Sequence, residues 1–171
     1  MSTTRTMGID VTDVDTAAKL PLGFEYREPA SGDDQGEKVW VYVFNDDTTA
    51  FAVGHCIYRD PSETTFDYYG GLITPITVHQ PKAMVLGIAQ HAIAAGSYGF
   101  ILKRGVGYVK SGSVAVAADS PFTTGGDDVG CALVYADDAS TLGSNIGVIG
   151  HTATILVADA ATVYAFISCG L

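Results

Sequence analysis

The residues best able to do chemistry in this chain lie between Gly87 and Gly112, in "GIAQHAIAAGSYGFILKRGVGYVKSG". This stretch holds a histidine, a serine among small residues, a Lys-Arg pair and a series of glycines. A serine nucleophile would need G-x-S-x-G on a strand-to-helix turn, where a strained backbone exposes the hydroxyl. In "AGSYG" the first glycine is replaced by Ala95, and the following "FILKRGVGYV" has the pattern of a strand. Ser97 is therefore expected in a hairpin turn. A phosphate cradle would need GxxxxGK[ST] entering a helix, or GxGxxG between a strand and a helix. No Lys-Ser/Thr pair follows Gly112, and Lys110 stands where the third glycine of the dinucleotide fingerprint belongs. Gly105 and Gly107 are instead expected as bends in a strand.

Metal chemistry needs ligands at set spacings, such as HExxH or the calcium-loop pattern. His55, His79, His91 and His151 are isolated from one another in sequence. "DVTDVD" (Asp10, Asp13, Asp15) and "GGDDVG" (Asp127, Asp128) lack the glycine and closing glutamate of a calcium loop, and read as solvated turns. Paired carboxylates for acid–base work would need a defined cleft, whereas the acids here cluster in turn-like "DD" pairs. The expectation is a chain with no catalytic residues, no cofactor-binding residues and no metal ligands. What remains is a local basic group, Lys103, Arg104 and Lys110, in a chain of net charge −10. It reads either as a solvated strand face or as a contact for an acidic neighbour, including another copy of this chain.

The elements that must position these residues are strands. At 171 residues, with 47% apolar side chains, the chain can build one compact domain with a substantial core. Charged residues are 16%, against a usual ~25%, as expected where part of the surface is covered by a partner. Nineteen acids against nine bases argue against nucleic-acid binding. Cys56, Cys131 and Cys169 are odd in number and widely spaced, as small core residues rather than a disulfide or zinc framework. "MSTTRTMGIDVTDVD" lacks the apolar core of a signal peptide, and no run approaches the roughly 18 apolar residues of a membrane span, so synthesis in the cytoplasm without membrane partners is expected.

Residues 1–20 read as a polar N-terminal arm, with "TDVDTAAKL" able to form a helical turn or two capped by Thr12 or Asp13. Residues 21–171 read as one β-domain. "EKVWVYVFNDDTTAFAVGHCIYRD" is strand, turn, strand. Val39, Val41 and Val43 alternate with Trp40, Tyr42 and Phe44, so both faces are apolar, one for the core and one for another covering surface. Trp40, Tyr42 and Phe44, with Lys103, Arg104 and Lys110, are the residues expected to contact a partner. Turn signals recur every ten to fifteen residues through "GYVKSGSVAVAAD", "DVGCALVYADD", "NIGVIGHTATILVAD" and "ATVYAFISCGL". Pro75 and Pro81 break strand-like runs, and "AQHAIAAG" could form only a short helix between its glycines. Gly87, Gly130 and Gly147 each stand second in an apolar run, a place where another backbone approaches closely. The fold class is mainly β: a small β-barrel or β-sandwich with an extended N-terminal arm.

In order, "VLGIAQHAIAAGSYGFILKRGVGYV", "SVAVAADSPFTTGG", "DVGCALVYADD", "NIGVIGHTATILVADA" and "ATVYAFISCGL" resemble the line of motifs in the head decoration, or cement, proteins of tailed bacteriophages. The leading "KLPLGFEYREPASGDDQGEKVWVYVFN" resembles that family's opening, so the likeness spans roughly residues 19–171. It departs from the simplest pattern in the longer "AFAVGHCIYRDPSETTFDYYGGLITPITVHQP". The resemblance implies a non-enzymatic β-domain on the outer capsid surface of a virion. Such a domain is a homotrimer at three-fold or quasi-three-fold positions, bridging capsomers of the major capsid protein against internal DNA pressure. The resemblance carries no catalytic residues and no cofactor. Two other readings stand beside it. One is a tail- or fibre-associated virion β-domain. The other is a small ligand-binding or hydrolytic β-barrel, which would require Ser97 and the histidines to converge.

Overall fold

The computed structural model describes residues 10–30, 36–60, 69–73, 84–112, 115, 117–124, 131–134, 148–153 and 162–169. His79, Pro75, Pro81, Asp127, Asp128, Gly130, Gly147 and residues 1–9 of the expected arm lie outside them. The described residues form β-strands and no α-helix. The strands are β1 (Val14–Asp15), β2 (Glu25–Glu28), β3 (Lys38–Asn45), β4 (Cys56–Arg59), β5 (Gly70–Leu72), β6 (Val85–Ile88), β7 (Tyr98–Lys110), β8 (Pro121–Thr124), β9 (Ala132–Val134), β10 (Gly150–Thr152) and β11 (Thr162–Ser168).

Five of these strands close on themselves. β3 pairs with β5, β5 with β4, β4 with β6, β6 with β7, and β7 returns to β3. Only the β3–β5 pairing is parallel, and the other four are antiparallel. A closed ring leaves no edge within the barrel to recruit other chains. The sheet continues from β7 through β11, β10, β8 and β9. β2 adds to the free side of β3, and its sequence "EYRE" places charges on the exposed edge. The expected small β-barrel is thus present, with a second sheet built onto one of its strands.

Three details differ from the sequence pattern. β3 and β4 flank a turn as expected, with Asp47 N donating to Asn45 Oδ1 and Thr49 N to Asp47 Oδ1. They are not neighbours, because β5 is inserted between them. "TDVDTAAKL" forms no helical turns. Thr12 N and Oγ1 both donate to Asp10 Oδ1, a side-chain competitor of the helical backbone bond, and Val14–Asp15 then pair with Gly99 and Tyr98 of β7. "AQHAIAAG" is not helical either: Ile93 exchanges backbone hydrogen bonds with Phe51 instead.

The apolar alternation of β3 is resolved inside the chain. Trp40 and Tyr42 join one core cluster with Cys56, Tyr58, Phe100, Leu102, Phe122 and Ile167. Val41 and Val43 join another with Phe51, Ile57, Leu86, Ile93 and Ile101. The second covering surface of β3 is therefore a second core of the same chain. Cys56, Cys131 and Cys169 are all buried and none is bridged to another. Asn45 is the buried polar anchor of this region, its Nδ2 donating to the carbonyls of Ile93 and Thr49.

β7 carries the most partners. Residues 98–104 other than Lys103 pair with β3 and residues 104–110 with β11, while β1 and β6 also bond to it. Val39 pairs with Arg104 and Trp40 with Leu102, which leaves Lys103 as the extra residue of a β-bulge. Gly105 beside it has φ +121°, and a Cβ there would stand 2.9 Å from the Glu37 carbonyl. At Gly87 a Cβ would stand 2.7 Å from the Leu102 carbonyl, the close approach expected of that glycine.

Candidate functional site

The bulge sets up the most distinctive surface. Neighbouring residues on a regular strand face opposite sides, but the extra residue re-aims the chain so that Lys103 and Arg104 line one cleft. The cleft has a volume of about 290 Å³ and lies between β2, the bulge and the end of β11, with Arg27, Glu25 and Phe166 along its walls. Lys103 Nζ is 2.5 Å from Glu25 Oε1, and Arg27 Nη1 is 3.0 Å from Glu37 Oε1. Arg104 is exposed and has no partner among the described residues. Three of the nine basic side chains of an acidic chain thus meet at one place.

From the cleft an aromatic stripe runs along the outer face of β7 and β11. Ser168 pairs with Arg104, Phe166 with Val106 and Tyr164 with Tyr108. Phe166 is 46% exposed, Tyr164 42% and Tyr108 37%, and the two tyrosine rings are 4.2 Å apart between centroids. On the other side of β11, exposed His151 stands opposite Phe166. These three rings are three of the five large apolar side chains left exposed among the described residues.

The sequence expectations divide at this surface. Lys103 and Arg104 meet in the cleft, but Lys110 does not join them. It lies at the far end of β7, some ~20 Å along the strand, with its Nζ 3.5 Å from His55 Nε2. Trp40 and Tyr42 are core residues: Trp40 Nε1 donates to Glu28 Oε2, and the Tyr42 hydroxyl accepts from Lys19 N. Phe44 is half-buried, its ring 4.8 Å from that of Tyr98. The residues the sequence did not single out are Arg27, Tyr108, Tyr164 and Phe166. In "ATVYAFIS" both alternating sets are apolar, so the exposed set is invisible without knowing which face the core takes.

Ser97 is buried directly after the Ala95–Gly96 turn, its carbonyl accepting from Asn45 N. It is the turn residue the sequence led us to expect. Among the described residues, no group of three or more His, Cys, Asp or Glu is placed to hold a metal ion. His55 accepts from Ala52 N at Nδ1, and burial, with the Lys110 charge, holds its pKa below the ordinary value despite Asp47. His91 packs both ring nitrogens out of solvent with no hydrogen-bond partner among the described residues, close enough to Asp10 and Asp13 to feel their charges. Burial lowers its pKa, and those two carboxylates oppose the shift.

The described chain is a small all-β protein, a closed five-strand barrel extended by a second sheet whose outer face carries aromatic and cationic side chains. No family model matches it, and no curated protein matches it. Among solved structures it is similar to the head fiber gp8.5 N base of bacteriophage phi29, at 16% sequence identity and a TM-score of 0.49, covering 77% of this chain and 98% of that one.

Proposed function

We propose that this chain is a non-enzymatic structural protein of a tailed-phage virion. It decorates the outer capsid surface and bridges capsomers of the major capsid protein, as a homotrimer at three-fold or quasi-three-fold positions. The observation that carries the reading is the exposed face of β7 and β11. A chain with only 16% charged residues leaves aromatic rings, and an arginine with no partner among the described residues, on one sheet face, the composition of a contact surface. The order of motifs from "VLGIAQ" to "TVYAFIS" supports the same reading.

Electron microscopy of virions with and without the chain tests it. Density is expected at local three-fold contacts of the shell, and capsids lacking the chain are expected to lose DNA at lower temperature. Density confined to the tail or to a fibre would sink the decoration reading in favour of a tail- or fibre-associated β-domain.

A further inference from the structure

The sheet face beside the bulge also identifies its occupant. We propose that copies of this chain associate through it: Phe166, Tyr164 and Tyr108 seat on the next copy, and Arg104 meets an acidic surface there. This names the contact within the homotrimer proposed above and rests on that reading.

Three observations carry it. The apolar stripe is continuous with the cleft, because Phe166 belongs to both, so a body covering the rings also covers Arg104. Rings flanked by an arginine form the usual anchor of a protein contact, with near-neutral surroundings that exclude water. Charge then selects the partner. Glu25 already neutralises Lys103 and Glu37 neutralises Arg27, which leaves Arg104 as the cation an incoming acid would meet. The chain itself, with 19 acids against nine bases, supplies acidic surface at the same concentration as the arginine.

In the homotrimer proposed above each copy sets this face against a different face of its neighbour, a head-to-tail contact that closes into a ring.

Sedimentation of the full chain, with light scattering on a sizing column, tests the contact. The wild type is expected to be a ring oligomer, with dissociation promoted by high salt. Tyr164→Ser with Phe166→Ser, and separately Arg104→Glu, are expected to weaken association roughly tenfold or more. Circular dichroism of both variants should match the wild type. Because the Arg104 side chain is exposed and has no partner among the described residues, its variant keeps the test valid if the double variant misfolds. A wild-type monomer overturns the inference, as does a two-fold dimer or an oligomer indifferent to both changes. Capsid binding, measured in parallel, separates this outcome from the wider reading. Variants that stay oligomeric but leave the capsid would assign the face to the capsid protein, overturning this inference while sparing the decoration role. A ring oligomer that these changes dissociate and that never binds capsids would do the reverse.

Discussion

His91 is the residue whose placement has the clearest thermodynamic consequence. Both nitrogens are buried without a partner among the described residues, so the folded state favours the neutral ring and its pKa lies below the ordinary 6.5. His55, buried beside Lys110, is shifted the same way. The unfolded chain therefore binds more protons than the native one below about pH 6.5. The stability due to the neutral rings is complete above that pH and is lost as pH falls towards the lower folded values. We predict that stability, and with it the melting temperature, declines from pH 7 to pH 5 as the two rings take up protons on unfolding. His91→Phe should shrink that decline, as followed by thermal denaturation across a pH series. A variant with the same pH profile as the wild type would show that His91 is not held neutral.

At the scale of elements, the bulge in β7 depends on a backbone that a side chain resists. Gly105 combines a positive φ with the Glu37 carbonyl 2.9 Å from where a Cβ would stand, so neither strain nor crowding relaxes without moving the chain that enters β3. Gly105→Val is predicted to cost about 1–3 kcal/mol in chemical denaturation and to disturb the cleft walls. Equal denaturation midpoints would mean the bulge tolerates regular strand geometry. The strands themselves were legible in the sequence. Alternation in "KVWVYVF", glycine punctuation around Gly87 and the turn at Ser97 each follow from local rules that tertiary packing did not override. The partners of those strands were not legible. The insertion of β5 between β3 and β4, and the two cores on either side of β3, depend on long-range pairing that no local pattern encodes. For the same reason Trp40 and Tyr42 read as partner contacts although a core of the same chain covers them, while nothing singled out Phe166 and Tyr164. Lys103 and Arg104 were found by charge alone, but their meeting in one cleft required the bulge.

For the whole molecule, barrel and outer sheet share a single strand. β7 gives one half of its length to β3 and the other half to β11, so neither half of the fold can close without it. Hydrogen exchange is predicted to be slowest along residues 98–110, opening only with global unfolding, while β2 and β9 at the ends of the sheet exchange first. Exchange from β7 as fast as from β2 would contradict a shared spine.

The ring of strands has a further consequence, for time rather than stability. The β3–β7 pairs join residues more than fifty positions apart in the chain, and every closure bond waits for that encounter. Domains dominated by such distant pairing fold in roughly milliseconds to seconds, far slower than helical bundles. Until β7 arrives, the aromatic and valine residues of β3 lack the Phe100, Ile101 and Leu102 side chains that complete both cores. A newly made chain thus passes through an interval in which it is open to capture by its neighbours, and how quickly β7 arrives sets the yield of usable subunits.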